Sequence, residues 1–125
     1  MKKAHDIGAA KGKWHVVKLR NGSGMLVDVL SGSRITMDIR NDGNVSGKAG
    51  CNRYFCSIEI HDGKAIVSPV GATRMYCPEP GIMDQEIYFL MDLEASKSLL
   101  HTEKVLELFN VADELMISLE GDSSE

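Results

Sequence analysis

A chain of 125 residues with 43% hydrophobic and 26% charged side chains can bury one sizeable core, which excludes a disordered protein and argues against two domains. No stretch approaches the ~20 apolar residues of a membrane span. Lys2-Lys3 is followed by His5-Asp6-Ile7-Gly8 where a secretory signal would need an apolar core. The net charge of −4 conceals an asymmetry: Lys2, Lys3, Lys11, Lys13, Lys18 and Arg20 face only Asp6 at one end, while residues 84–125 carry eleven Asp and Glu against Lys97 and Lys104. No dense basic run with interleaved aromatics is present, so nucleic acid is not an expected partner. The two ends are instead expected to lie together with complementary charges. As given, the chain is expected in the cytoplasm; loss of an N-terminal signal would place it in the periplasm or envelope.

Residues 1–12 show no periodicity and read as a flexible arm. Trp14–Leu19 reads as a strand stopped by Asn21-Gly22-Ser23-Gly24. Met25–Leu30 forms a second, and Ser31-Gly32-Ser33 breaks it. Ile35, Met37 and Ile39 then alternate with Thr36, Asp38 and Arg40, the two-residue period of a half-buried strand. Asp42-Gly43 and Asp62-Gly63 each supply the residues a tight hairpin demands. Val45 opens a strand before the segment Gly50–Phe55, while Ile58/Ile60 and Ala65–Val67 flank the second hairpin. Pro78-Glu79-Pro80-Gly81 is a rigid turn into one helix, whose apolar face is expected at Met83, Ile87 and Leu90, widened by Phe89 and Leu93. Asp84 and Glu86 fall in its first turn, where the helix dipole favours negative charge. Val105–Phe109 and Leu115–Leu119 return as strands, and 121–125 reads as a disordered tail. About eight short strands with close turns and one helix predict a mainly β, α+β domain over 13–120, built as an antiparallel barrel or sandwich. Trp14, Ile35, Met37, Ile39, Ile58, Ile60, Leu115, Ile117 and Leu119 are its expected core.

Two segments carry the most information: Gly50-Cys51-Asn52-Arg53, and Thr73-Arg74-Met75-Tyr76-Cys77 followed by Glu86. Together they resemble the META domain (HslJ-like) family, over roughly Trp14 to Leu119. Cys56 departs from the family, which commonly has a small residue there. The resemblance implies a small closed, calycin-like antiparallel barrel with one packed helix. It implies no enzymatic activity and no cofactor, but a stress- or envelope-associated binding module, with bacterial relatives linked to heat induction and drug tolerance and trypanosomatid relatives to virulence. The expected partner is a small-molecule or protein ligand of undefined identity, bound by a monomer.

Cys51, Cys56 and Cys77 leave several readings open. They can be three buried thiols, since free cysteine behaves as a small apolar residue. In an oxidising compartment Cys51 and Cys77 can form a disulfide, because the family pattern brings their two segments together. A zinc site with His61 lacks standard ligand spacing, and a reactive thiol at Cys51 or Cys77 would make the chain a thiol-dependent enzyme. His5, His15, His61 and His101 are scattered and form no triad pattern. Asp28 and Asp38 read as outward charges, with a paired-acid site as the sharper alternative. Arg53, Arg74 and Glu86 match the family's motifs, and Glu86 is expected to pair with one arginine and pin the helix to the sheet. The alternative is an anion site made by the two guanidinium groups. An interaction module using a sheet edge or the acidic helical face is the remaining reading.

Overall fold

The computed structural model describes residues 2–122. Its strands are β1 (Lys2–Lys3), β2 (Gly12–Arg20), β3 (Leu26–Asp28), β4 (Thr36–Ile39), β5 (Asn44–Lys48) and β6 (Arg53–His61), followed by β7 (Lys64–Val67), β8 (Gly71–Ala72), β9 (Ser98–His101), β10 (Val105–Phe109) and β11 (Leu115–Gly121). One helix, α1 (Ile82–Glu94), separates β8 from β9, and a short 3-10 turn covers Ile7–Ala10. The strand order is β1-β9-β10-β11-β2-β4-β5-β6-β7, with β3 added to β2 and β8 to β6. All pairings are antiparallel. The result is an antiparallel half-barrel with one helix.

Alternation builds the inner face. On β4, Met37 and Ile39 are buried while Thr36 and Asp38 turn outward, and on β11 Ile117 and Leu119 follow the same rule. Both Asp-Gly hairpins form, joining β4 to β5 and β6 to β7. In the second, Asp62 and Gly63 both have positive φ, 53° and 75°, as a primed turn requires. Trp14, Ile35, Met37, Ile39, Ile58, Ile117 and Leu119 are buried as expected, whereas Ile60 and Leu115 are half-buried. The interior is filled by side chains: Tyr54, Phe89, Leu106 and Leu108 are fully enclosed. The Tyr54 and Phe89 rings meet edge to face with centroids 5.2 Å apart.

Four expectations need correction. Residues 2–12 are packed rather than a free arm. Ala4, Ile7 and Ala10 are buried, the Asp6 carboxylate accepts the Gly8 N–H at 2.8 Å, and the Ala10 carbonyl accepts the Trp14 indole N–H at 2.9 Å. Of the expected 121–125 tail, the first two residues are ordered: Gly121 closes β11 and the Asp122 N–H donates to the Lys13 carbonyl, while 123–125 lie outside the described residues. Among the described residues there are eleven strands, because β1, β8 and β9 escape a pattern reading, two of them being only two residues long. The helix buries only part of the expected face: Phe89 and Leu93 are enclosed as expected and Leu90 packs against the core, but Ile87 turns out and polar side chains turn in. Gln85, Glu86, Phe89, Asp92 and Leu93 point inward, while Ile87 is 50% exposed.

β2 lies beside β11, so the basic and acidic ends of the chain do meet. The lysines take little part in that meeting. Lys18 bonds Asp28 across β3, and His15 and Arg34 hold Asp122. The Ala65 N–H in β7, at one end of the strand order, donates to the carbonyl of Lys97 just before β9 at 2.7 Å, and beside β1, at the other end, the Ala4 N–H donates to the Leu99 carbonyl at 2.9 Å.

Candidate functional site

The buried face of α1 explains why three polar side chains sit inside. Strands that end at the mouth of the half-barrel leave backbone N–H groups without ladder partners, and a buried unpaired N–H is costly. The helix supplies acceptors. Asp92 accepts the Arg20 N–H at 2.8 Å, Gln85 accepts the Leu30 N–H at 2.7 Å, and Glu94 at the exposed rim accepts the Val70 N–H at 2.7 Å.

Glu86 serves the segment between β5 and β6. Gly50 turns that connection with φ of 108°, a conformation L side chains resist. The turn leaves the Cys51 and Asn52 N–H groups aimed at one point, where Glu86 Oε1 accepts both, at 3.1 and 2.6 Å. Glu86 Oε2 accepts from Asn52 Nδ2 at 2.7 Å. Asn52 is then used to capacity. Its Nδ2 also donates to the Met75 carbonyl at 3.1 Å, and its Oδ1 accepts the Thr73 hydroxyl at 2.8 Å and the Met75 N–H at 2.6 Å. The Thr73 hydroxyl oxygen in turn accepts the Arg53 N–H at 3.1 Å. Cys51 and Cys77 are joined by a disulfide with a Cα–Cα distance of 6.0 Å, so a covalent bond fastens the same two segments.

Of the sequence-predicted site residues, Gly50, Cys51, Asn52, Thr73, Met75, Cys77 and Glu86 thus come together. Arg53 and Arg74 do not join them. Both are exposed, and among the described residues neither forms a salt bridge, so the expected Glu86–arginine pair is absent. Alternation is the cause at the first position: Asn52 and Tyr54 point inward, which sends Arg53 outward. The Glu86 carboxylate is matched by amide donors instead of a guanidinium. The disulfide also removes the reading of three free thiols and leaves neither Cys51 nor Cys77 as a nucleophile. Cys56 is half-buried, and burial followed by the nearby Glu94 charge pushes its thiol up to about 11, so it stays protonated at neutral pH. Asp28 and Asp38 make no acid pair: Asp28 faces Lys18 across β2, and Asp38 sits between Lys13 and Ser46. His61 is solvated and bonds Glu59 at 2.9 Å.

Two further features have no counterpart in the sequence reading. A groove of about 370 Å³ crosses the outer face of β2, β4, β5 and β6, lined by Lys13, Arg34, Lys48, Arg53, Asp38 and Asp122. Hydrogen bonds from Arg34 at 2.7 Å and His15 at 3.2 Å hold the Asp122 carboxyl below the ordinary carboxylate range. Each cation read singly is a solvated charge on an amphipathic strand; only the register of four strands collects them. The second feature is Asp92, 6% exposed beside a cavity of about 340 Å³ with Arg20, Tyr88 and Glu114 on its walls. Burial pushes its carboxyl up to about 7, against a smaller lowering by the Arg20 N–H and charge.

A protein from Burkholderia xenovorans solved by NMR superposes with a TM-score of 0.71 at 23% identity, over 96% of this chain and 91% of that one. A second NMR structure gives 0.61 at 17% identity, over 90% and 92% of the two chains. At these identities the likeness is one of fold. Among curated proteins, none matches the chain. The META domain model matches residues 8–122, from the 3-10 turn through the last strand, and the chain belongs to the META domain family.

Proposed function

We propose that this META domain is a non-enzymatic binding module that meets its ligand on the outside of the sheet. The observation that carries this reading is the full use of the motif's polar atoms: the Asn52 side chain makes four hydrogen bonds and the Glu86 carboxylate three, all within the fold. Groups committed in this way hold a structure together and are not free to move protons. The packed interior, closed by Tyr54 and Phe89, points the ligand to the surface as well. In the finer reading the sheet closes as a calycin-like barrel, an arrangement favoured by the hydrogen bond from Ala65 in β7 to Lys97, the residue before β9. The Cys51–Cys77 disulfide favours an oxidising compartment, the periplasm or envelope, over the cytoplasm.

A thermal-shift screen of small anions, peptides and lipids against the oxidised protein tests the module. A saturable rise in Tm without chemical change of the ligand is expected. Turnover of any ligand at the surface would overturn the non-enzymatic reading. A protein partner is the second reading, favoured by Met75 and Tyr76, which leave the motif segment 57% and 78% exposed. Elution as a monomer at micromolar concentration is expected for the isolated chain.

A further inference from the structure

Lys48 and Arg53 stand directly opposite each other across β5 and β6, and both line the outer groove. Like charges at opposed positions weaken an antiparallel pair, so folding alone gives no reason for this arrangement. Neither side chain has a salt-bridge partner among the described residues, and the same holds for Lys13. Arg34 is already matched by Asp122. That leaves Lys13, Lys48 and Arg53 against Asp38, three positive charges against one negative, in a chain whose net charge is −4. A local excess of opposite sign to the whole molecule concentrates anions at that spot. Two hydroxyls lie among these cations. Thr36 Oγ1 accepts the Lys48 N–H at 3.0 Å, which leaves its proton to donate elsewhere, and Ser46 also lines the groove.

We propose that this groove binds a phosphate monoester, seated between Lys48 and Arg53. Such a group carries a charge of about −1.5 to −2 at neutral pH and three strong acceptor oxygens, which matches the uncompensated charge of the groove. The Arg53 guanidinium offers two parallel N–H donors, Lys48 an ammonium, and Thr36 and Ser46 their hydroxyls. A carboxylate would neutralise only half of that excess. Phe55 follows Arg53 on the same side of β6 and lies opposite Ser46. Phe55 is 59% exposed and its ring rests against Gly71, where any added Cβ would meet it at 2.5 Å. The organic part of the ester packs on that flat apolar surface.

This site is the ligand-facing part of the binding module proposed above, and one titration separates the two. Oxidised, 15N-labelled protein is titrated with inorganic phosphate and with p-nitrophenyl phosphate at constant ionic strength, with chloride as the control. Saturable shifts of the Ser46, Lys48 and Arg53 amides are expected, with Lys48→Ser and Arg53→Ser each weakening affinity about tenfold. Lys48→Ser also relieves the like-charge pair, so its Tm without ligand is expected at or above that of the parent. Shifts that chloride reproduces, or that saturate only at residues away from the groove, overturn the site and leave the non-enzymatic reading standing. Release of nitrophenolate that both substitutions abolish keeps the site and overturns the non-enzymatic reading.

Discussion

Replacing Asn52 with alanine removes the four side-chain hydrogen bonds, two donated by Nδ2 and two accepted by Oδ1, that tie the β5–β6 connection to Glu86, Thr73 and Met75. Glu86→Ala leaves the Cys51 and Asn52 N–H groups buried without an acceptor. Each such orphan costs about 1–3 kcal/mol, so either substitution is expected to lower unfolding stability in urea by about 3 kcal/mol. Arg53→Ala and Arg74→Ala, at exposed positions, are expected to stay within about 0.5 kcal/mol of the parent. Asp92 makes stability depend on pH. Its folded-state pKa is raised to about 7, so the native state holds a proton that the unfolded chain has already released. The associated stability is therefore full below the ordinary carboxylate pKa and is lost as pH rises through about 7. Asp92→Asn, measured by denaturation between pH 5 and 8, is expected to flatten that fall. An unchanged slope would assign it to another group.

At the scale of elements, α1 is a set of acceptors for strand ends as much as an apolar wedge. Phe89→Ala, at a fully buried position against Tyr54, is expected to cost about 3–5 kcal/mol, while Ile87→Ser on the exposed face stays within about 0.5 kcal/mol. Denaturation midpoints of the two variants check the contrast. The sequence made the strands of the inner face readable, because Ile35, Met37 and Ile39 alternate with polar residues and the two Asp-Gly pairs mark the hairpins. It also marked Gly50–Asn52, Thr73–Cys77 and Glu86 as belonging together. On the helix, a 3.6-residue count of apolar side chains finds Phe89 and Leu93 but ranks Ile87 above Gln85, Glu86 and Asp92, so the inward polar residues stay hidden. Only the unpaired N–H groups of Arg20, Leu30, Cys51 and Asn52 reverse that ranking, and these depend on where distant strands end. Strand period explains the arginine error equally well, since an inward Asn52 obliges Arg53 to face out. The outer groove was illegible for a related reason: Lys13, Lys48 and Arg53 lie on three strands and meet only through sheet register.

For the whole molecule, the β5–β6 connection is fastened twice, to α1 by the Glu86–Asn52 hydrogen bonds and to the segment before α1 by the Cys51–Cys77 bond across a sequence separation of 26. Closing a loop of that length stabilises by about 3–4 kcal/mol in the chain-entropy model. Urea unfolding with and without reductant is expected to differ by that amount, and alkylation of the native oxidised protein is expected to label Cys56 alone. Labelling of Cys51 and Cys77 before reduction would remove the covalent link. The hydrogen-bonded link is tested most directly by double-mutant cycles, in which Glu86→Gln is combined in turn with Asn52→Ala, Arg53→Ala and Arg74→Ala and stability is measured by urea unfolding. A coupling of about 1 kcal/mol or more is predicted for the Glu86–Asn52 cycle, with values near zero for both arginines. A Glu86–arginine coupling as large as that with Asn52 would contradict the account.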